Sequence, residues 1–416
     1  MIGQHLKENK IYNGTKIYNK PKYVYIPLVN GKNKDVITLV KKGEYVYKEM
    51  MIAKIKGNNL PILSSVSGIV VDIEKHMIFD GTLCDTIKIE NDFKETVEKT
   101  KKIEENINKY SKEEFIEILK ENAIIGMGGS SFPTYLKYNS NINTLIVNAV
   151  ECEPYISTDY EITKTKIEEI LRCIDAIMEI NNIEECFIAI KKNKKELINI
   201  INNYIGTYPK IKLSLVPVLY PMGWERNLIK YITDKEYKAI PSEIDILVNN
   251  ISTIYAIYNA LKYQKPLIER NITITGDMIK EKTNILVKNG TKLDEILEYV
   301  GLKRNEDVVA ICGGPMMGNA VTNDLVITPN INAIIVNKNK PIEEEKQCLR
   351  CSKCSLACPA KIEPVLIKDY MNNKEMLKKL NVNKCIECGI CSYVCPAKIN
   401  VREYVRKAKE NYNEKI

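Results

Sequence analysis

Eight of the 13 cysteines lie in two motifs with the same spacing, C-x₂-C-x₂-C-x₃-C-P. Such closely spaced thiolates suit a cuboid 4Fe–4S cluster, and in two-cluster ferredoxins the fourth cysteine of each motif ligates the other cluster. The sequence therefore predicts two 4Fe–4S clusters with crossed ligand sets. One set is Cys348, Cys351, Cys354 and Cys395, and the other is Cys385, Cys388, Cys391 and Cys358.

Two zinc sites are the alternative interpretation of these cysteines. Structural zinc sites use two separated C-x₂-C pairs, often with histidine. The repeated 2-2-3 spacing that ends in Pro359 and Pro396 is more specific to clusters. Five cysteines lie outside these motifs; Cys152 is one, and we expect the other four to be buried as small apolar residues. They are Cys84, Cys173, Cys186 and Cys312.

A glycine-rich stretch, IIGMGGSSFPTYLK, spans residues 124–137. Gly126, Gly128 and Gly129 would let the backbone approach a ligand closely and offer N–H groups to a phosphate, and Lys137 could add a positive charge. The pattern is neither G-x-G-x-x-G nor a P-loop, and a purely structural turn would also explain it.

The next stretch, LIVNAVECEPY, begins as an apolar strand and ends in polar residues, Asn148, Glu151 and Glu153. In open α/β sheets, ligands bind at the carboxyl ends of strands. Together with the glycine-rich stretch, these side chains predict a nucleotide or flavin site. A solvated strand end is the alternative.

Hydrophobic periodicity divides the chain into four parts. Residues 1–100 are β-rich and barrel-like, 101–265 alternate strands and helices as a doubly wound α/β layer, 266–338 form a small α+β unit, and 339–416 carry the cysteine motifs. Between the first two parts, residues 93–122 are predicted to form a linker helix and a second helix, the latter capped by Ser111 with Glu114.

Composition excludes several classes of function. The net charge is +8, but the lysines are dispersed, so no basic patch with interleaved aromatics indicates nucleic-acid binding. No apolar run reaches the ~18 residues of a transmembrane helix, and the first residues lack a secretory signal. Clustered cysteines without an export signal indicate a reducing compartment. We expect a cytoplasmic protein, peripheral on the cytoplasmic face of the membrane through partner subunits.

Five stretches occur in an order that resembles the C subunit of the Rnf electron-transport complex: GMGGSSFPTYLK, LIVNAVECEPYISTD, YPMGWERNLI, PLIERNITITG and CGGPMMG, followed by the cysteine motifs. That family is similar to the NADH- and flavin-binding subunit of respiratory complex I. The resemblance implies a barrel-like N-terminal domain, a Rossmann-like FMN/NADH domain, a β-grasp SLBB domain and a double-cluster ferredoxin-like domain.

The resemblance also implies roles for individual residues. Glu151 and Glu153 would be catalytic, lining the flavin and the nicotinamide. The residues that would bind the cofactor are Gly126, Gly128, Gly129, Lys137, Asn148, Gly223 and Glu225. The sequence departs from the complex I relative at Val150, where that relative usually has Asp, and in the N-terminal part, where the glycine- and histidine-containing stretches of the family are missing.

A hydride carries two electrons and a cluster accepts one, so a flavin is the converter between them. The resemblance implies an oxidoreductase subunit that oxidises NADH at FMN and passes single electrons through two clusters. The recipients would be other Rnf subunits, ferredoxin, or a soluble reductase, as in the related protein that accompanies clostridial proline reductase (the PrdC type). An iron–sulfur conduit without flavin is a further alternative, which flavin absorbance would distinguish.

Overall fold

The computed structural model describes residues 2–3, 14–31, 33–302, 307–341 and 343–413. Most of the N-terminal segment considered for a signal therefore lies outside the described residues. Residues 23–91 form two antiparallel sheets around a shared apolar core, which includes Val24, Ile52 and Ile87. One sheet has the order Tyr23–Pro27, Leu83–Asn91, Gly68–Met77 and Tyr45–Val46, and the other has Val36–Thr38, Met51–Ile55 and Pro61–Leu63.

Only one of the two predicted linker helices forms. It spans Lys112–Glu121 and begins with the predicted capping box: Ser111 Oγ accepts from the Glu114 N–H (3.2 Å), and Glu114 accepts from the Ser111 N–H (2.8 Å). Residues 93–110 contain no helix, so the first linker helix was wrongly predicted. This segment lacks an apolar stripe of helical period, and its charged side chains pair instead with the flanking units.

The α/β part contains a parallel four-stranded sheet in the order Ile211–Val216, Glu185–Lys191, Thr144–Asn148, Ile246–Asn250. Both faces of the sheet are buried, which explains why the strands are nearly continuous apolar runs. The predicted alternation of strands and helices is observed. The helices are Thr158–Thr165, Ile167–Ile180, Lys195–Ile205, Glu225–Thr233 and Ile251–Tyr263, with 3₁₀ turns at Thr134–Asn139 and Pro241–Ile244.

The strand order reverses beside the central strand Thr144–Asn148. This strand pairs on one side with the next strand in the chain and on the other with Ile246–Asn250, the last. Such a reversal leaves a crevice at the carboxyl ends of the two strands, where ligands bind in open α/β sheets. The residues that end these strands are Asn148 and Asn250.

The third part forms a mixed six-stranded sheet in the order Asn319–Val321, Val308–Cys312, Ala333–Lys338, Glu269–Thr275, Thr283–Lys288 and Thr15–Tyr18. Helix Leu293–Tyr299 packs against it. The edge strand Thr15–Tyr18 comes from the beginning of the chain. The N-terminal sheets also contact this unit directly, since Ser65 Oγ donates to the Asn289 carbonyl (2.6 Å).

The cysteine motifs lie in a unit of short helices around a small apolar core. Its helices are Lys353–Leu356, Pro364–Asp369, Lys374–Lys379, Ile390–Tyr393 and Val401–Asn413, with a 3₁₀ turn at Val382–Lys384. The four lone cysteines are buried, as predicted. Among the described residues, no helix is both long and apolar enough to cross a membrane.

Candidate functional site

The glycine-rich stretch forms a loop over the crevice where the strand order reverses. Hydrogen bonds close its base, from the Gly126 N–H to the Phe132 carbonyl (2.8 Å), and the Met127 N–H donates to Thr253 Oγ1 (3.0 Å). A Cβ on Gly128 would lie 3.5 Å from Asn250 Cβ. The loop thus packs on the start of helix Ile251–Tyr263.

The tip of this loop is suited to an anion. Gly129 has φ +105°, which disfavours any side chain, and a Cβ there would meet nothing within 4 Å. Within the described part of the chain, the N–H groups of Gly128 and Gly129 make no hydrogen bond to protein. Both glycines are exposed, and helix Ile251–Tyr263 begins beside them. Free N–H groups next to a helix N-terminus fit the phosphate of a flavin nucleotide.

Glu151 belongs to a partly buried polar cluster beneath the loop. Its Oε1 accepts from the Asp159 N–H (3.1 Å), and Asp159 accepts from Asn250 Nδ2 (2.7 Å) and Ser252 Oγ (2.5 Å). Burial, followed by the charge of Asp159, raises the pKa of Glu151 to about 8, and burial also raises the pKa of Asp159. Burial thus favours the protonated form of Glu151.

Arg270 brings a positive charge to this cluster from the third unit. It is 1% exposed and donates to the carbonyls of Ile331 (2.9 Å) and Met127 (3.1 Å). Its Nη1 is buried and makes no hydrogen bond to the described residues. Burial lowers the pKa of Arg270 to about 10, so the guanidinium stays charged at neutral pH. The charge stabilises the ionised form of Asp159.

Asn148 and Gly223 meet on the other side of the strand end. Asn148 Nδ2 donates to the Gly223 carbonyl (2.9 Å), and the Gly223 N–H donates to Cys152 Sγ (2.6 Å). A Cβ on Gly223 would lie 2.6 Å from the Val150 carbonyl oxygen, so this approach requires glycine. The Val150 side chain is buried in the apolar cluster of the sheet. The valine that stands where the complex I relative usually has Asp is therefore a core residue here.

Lys137 and Glu225 lie close enough to interact electrostatically. Lys137 Nζ donates to the Val248 carbonyl (2.7 Å), and Glu225, the first residue of its helix, accepts from Tyr237 Oη (2.7 Å). Burial lowers the pKa of Lys137, and the charge of Glu225 opposes this effect. Both side chains are thus held by protein groups, and Lys137 lies against the middle of strand Ile246–Asn250.

Glu153 is engaged differently from Glu151. Its two carboxylate oxygens accept from the N–H groups of Met316 (3.0 Å) and Met317 (2.8 Å), in the GGPMMG loop of the third unit. A Cβ on Gly314 would lie 2.3 Å from Glu153 Cδ, so this loop closes tightly over the acid. Burial raises the pKa of Glu153 to about 7. Its contacts make Glu153 an anchor for the GGPMMG loop.

The GGPMMG loop also contacts the second cysteine motif. A Cβ on Gly389 would lie 2.3 Å from the Met316 carbonyl oxygen, and Arg402 donates to the carbonyls of Met317 (2.8 Å) and Gly318 (3.2 Å). From the α/β unit, Tyr220 Oη donates to the Cys388 carbonyl (2.7 Å). The flavin-type site and this cysteine motif are therefore joined directly.

The eight cysteines line two separate cavities. Each cavity is lined by three cysteines of one motif and the fourth cysteine of the other, the division that the spacing predicts. Cys358, Cys385, Cys388 and Cys391 line one, and Cys348, Cys351, Cys354 and Cys395 line the other. Among the described residues, no group of His, Cys, Asp or Glu is arranged to hold a single metal ion. Thiols spread around a cavity fit a polynuclear cluster, whose thiolates bind different irons.

Several residues of this site escaped the sequence reasoning. Asn250 carried a usable signal, because it ends an apolar strand and begins a helix, as Asn148 ends its own strand. Asp159, Arg270 and Met316 lie in stretches that carry the family resemblance, but nothing in the residues themselves assigned them to the site. Asp159 comes from the helix that follows the strand, whereas Arg270 and Met316 arrive from the third unit, and only the packing of the units brings them to the strand end.

Three segments match known protein families: residues 2–94 match the RnfC barrel sandwich hybrid domain, residues 119–259 the Nuo51 FMN-binding domain, and residues 340–396 a 4Fe–4S dicluster domain. Among solved structures, a chain of an NAD⁺-reducing [NiFe]-hydrogenase in its H₂-reduced state has a similar fold. The TM-score is 0.51 at 11% identity, over 72% of this chain and 61% of that chain.

Curated relatives are similar over most of the chain. The C subunit of the proton-translocating ferredoxin:NAD(+) oxidoreductase complex of Clostridium ljungdahlii is 34% identical over 382 residues, covering 88% of this chain and 82% of the relative. The C subunit of the Na(+)-translocating complex of Acetobacterium woodii is 28% identical and covers 88% and 84%. The C subunit of an ion-translocating oxidoreductase complex of Haemophilus influenzae is 33% identical, and the chain spans about half of it (54%).

Proposed function

Because the chain belongs to the family of Rnf-type oxidoreductase complex C subunits, we propose that it oxidises NADH at a bound FMN. Single electrons then leave through two 4Fe–4S clusters to other subunits of such a complex. In this proposal, residues 101–265 are a Rossmann-like FMN/NADH domain, 266–338 an SLBB β-grasp domain, and 339–416 a double-cluster domain. The protein works on the cytoplasmic face of the membrane, held there by its partners.

The observation that carries this proposal is the direct junction between the two sites. The strand-end residues and the Cys388 motif are joined by the Tyr220–Cys388 hydrogen bond (2.7 Å) and by the GGPMMG loop, which touches both. A flavin site and a cluster site that served separate reactions would not need this junction. A shared boundary is what electron transfer between them requires.

In this proposal, the chain's own groups bind and tune the cofactors. The free N–H groups of Gly128 and Gly129 hold the FMN phosphate. Glu151, whose protonated form is favoured by burial, lies just beyond the carboxyl end of the central strand, and Asn148 positions Gly223 across from it. Bound FMN supplies the conversion of a two-electron hydride into single electrons. The eight cysteines hold the clusters, as their two cavities support.

The test is anaerobic purification, reconstitution with iron, sulfide and FMN, and a visible spectrum before and after NADH is added. We expect about eight irons and one FMN per chain, with NADH bleaching both the flavin and the cluster absorbance. Addition of NADPH in place of NADH tests the choice of nucleotide. A protein with a full complement of iron that retains no flavin and does not respond to NADH would refute the proposal, and would leave an iron–sulfur conduit.

A further inference from the structure

The two cysteine cavities have different surroundings. The cavity of Cys388 faces the α/β unit and the GGPMMG loop, through the contacts of Tyr220, Met316 and Arg402. Cys388 itself is buried, whereas Cys351, in the other cavity, is exposed. This arrangement makes the Cys388 cavity the one next to the proposed flavin site.

Arg402 lies between the GGPMMG loop and the Cys388 cavity. It is the second residue of helix Val401–Asn413, its backbone N–H donates to Ser392 Oγ (2.8 Å), and it lines the cavity. Its two terminal nitrogens donate to carbonyls of the GGPMMG loop. The third nitrogen, Nε, is buried and makes no hydrogen bond to any residue that the structure describes. Buried donors are nearly always paired, so this N–H points to an acceptor other than these residues.

The positive charge of Arg402 is not offset by a direct partner. Glu387 and Arg402 are the charged residues that line the Cys388 cavity within the described chain. Glu387 pairs with Lys409 (3.1 Å), whose charge balances its own. Arg402 donates to carbonyl groups, which are neutral, and no acid of the described ranges forms an ion pair with it. The net charge at the wall of this cavity is therefore positive.

Two acids are near enough to interact with Arg402 electrostatically, and both are held by other groups. Glu153 accepts from two N–H groups of the GGPMMG loop, the same loop whose carbonyls Arg402 binds. Glu403 pairs with Arg406 (2.6 Å). The guanidinium of Arg402 is thus fixed by the loop rather than by a carboxylate.

The other cavity is lined by charged residues of a different kind. They are Arg350, Lys353 and Glu363. Arg350 pairs with Asp369 (2.6 Å), and Lys353 is exposed, so that water and salt screen its charge. Among the described residues that line this cavity, none has a buried side-chain nitrogen without a partner.

On the premise of the proposed function that the cavities hold 4Fe–4S clusters, we propose that Arg402 raises the reduction potential of the cluster in the Cys388 cavity. Uptake of one electron adds a negative charge there, which the nearby guanidinium stabilises, and Nε supplies an N–H for a cluster sulfur. Net charge and hydrogen bonds to sulfur are both known to set cluster potentials. No covalent bond forms or breaks, and guanidinium groups keep their protons in proteins. The electron is thereby favoured on the cluster nearest the proposed flavin site.

The test is a potentiometric titration of the reconstituted full-length chain, followed by EPR, in wild type, Arg402→Gln and Arg402→Lys. Dithionite supplies the electrons through mediators, so the titration needs neither NADH nor FMN. A parallel titration of Cys351→Ser, which leaves the residues of the Cys388 cavity unchanged, assigns the midpoint of the cluster there. Lys407→Gln is the matched control, because it removes a positive charge from the same helix at an exposed position outside the cavity.

We expect Arg402→Gln to lower the ratio of reduced to oxidised cluster in the Cys388 cavity about tenfold at a fixed potential, which is about 59 mV for a one-electron couple. The ratio for the other cluster should change less than about threefold, because its cavity lacks this contact. Arg402→Lys keeps the charge and should recover about half of the shift or more. Lys407→Gln should titrate like the wild type, and iron content should be unchanged in all variants.

Three results would overturn the inference. One is a ratio in Arg402→Gln that stays within about twofold of the wild type. Another is an equal shift in Arg402→Gln and Arg402→Lys, which would assign the effect to the hold on the GGPMMG loop rather than to charge. The third is loss of iron from both variants, which would make Arg402 a structural support of the cavity.

The proposed function fails separately from this inference. If the chain takes up its iron but NADH does not bleach the flavin, NADH oxidation at FMN is refuted. The dithionite titration still measures the effect of Arg402 on the cluster in that case.

Discussion

Glu151→Gln should remove a pH-dependent loss of stability. The pKa of Glu151 rises from the ordinary 4.5 to about 8, because of burial and the neighbouring charge of Asp159. The folded protein thus keeps a proton that the unfolded chain releases, so this group lowers the stability as pH rises from 4.5 and has its full effect above 8. Glutamine is neutral throughout, and its Oε1 can still accept from the Asp159 N–H.

The magnitude follows from the two pKa values. Linkage gives a loss of at most about 3 kcal/mol for wild type between about pH 6 and about pH 9. Partial solvent exposure of Glu151 screens its charge, so we expect the stability difference between Glu151→Gln and wild type to grow by about 1–3 kcal/mol over this range. The difference should have the same sign throughout, in favour of the glutamine variant.

Urea unfolding of the full chain without FMN, under reducing anaerobic conditions, is a suitable assay. Trp224 is the only tryptophan and directly precedes helix Glu225–Thr233, so its fluorescence reports on this unit. Glu184→Gln, at an exposed position, is the matched control. Parallel curves of stability against pH for wild type and Glu151→Gln would refute the reasoning, because Glu151 would then titrate alike in the folded and unfolded chain.

Three further predictions concern the loop, the clusters and the buried arginine. Gly129→Ala should weaken FMN binding at least about tenfold, because the positive φ disfavours a side chain by about 1–2 kcal/mol and the added methyl group occupies the space through which the phosphate approaches. Quenching of FMN fluorescence measures this affinity. The control variant Gly206→Ala, at a position where φ is negative, should bind FMN like the wild type. Cys388→Ser should halve the iron content and stop NADH from reducing the remaining cluster, because the cluster of the Cys388 cavity lies next to the proposed flavin site. Cys351→Ser should also halve the iron content but leave NADH-dependent reduction of the remaining cluster intact. EPR spectra that show the reverse would contradict this order of the two clusters. Arg270→Met should destabilise the α/β unit by about 2–4 kcal/mol in urea unfolding, because it leaves Asp159 without its buried counter-charge, and a loss below about 1 kcal/mol would count against that role.

The sequence was informative where the chemistry is local. The grouping of the cysteines around two cavities agrees with the spacing of two short motifs, while their ligation of clusters stays a prediction. The capping box of Ser111 and Glu114 lies within four residues. The same holds for the strand–helix alternation, which reflects the periodicity of each element. The prediction of the first linker helix was wrong because charged residues at helical spacing, without an apolar stripe, do not specify a helix.

The sequence was less informative about how the strand-end acids are used. Glu151 and Glu153 are two residues apart and were both predicted to be catalytic. Their contacts differ because Glu151 packs against Asp159, on the helix that follows, while Glu153 meets the backbone of Met316, more than 160 residues later. Tertiary contacts of this kind have no local signal. The roles of both acids toward FMN stay predictions.

The strand Thr15–Tyr18 pairs with Thr283–Lys288, which comes after the whole α/β unit in the sequence. The beginning of the chain thus completes a sheet whose other strands are encoded after the whole flavin-type unit, and Ser65 and Arg270 add further ties between separate parts. The N-terminal sheets, the α/β unit and the third unit therefore cannot be exchanged one at a time. A hybrid gene that replaced only the first hundred codons would leave an unpaired sheet edge, so inheritance of these parts as a block is the expected evolutionary pattern.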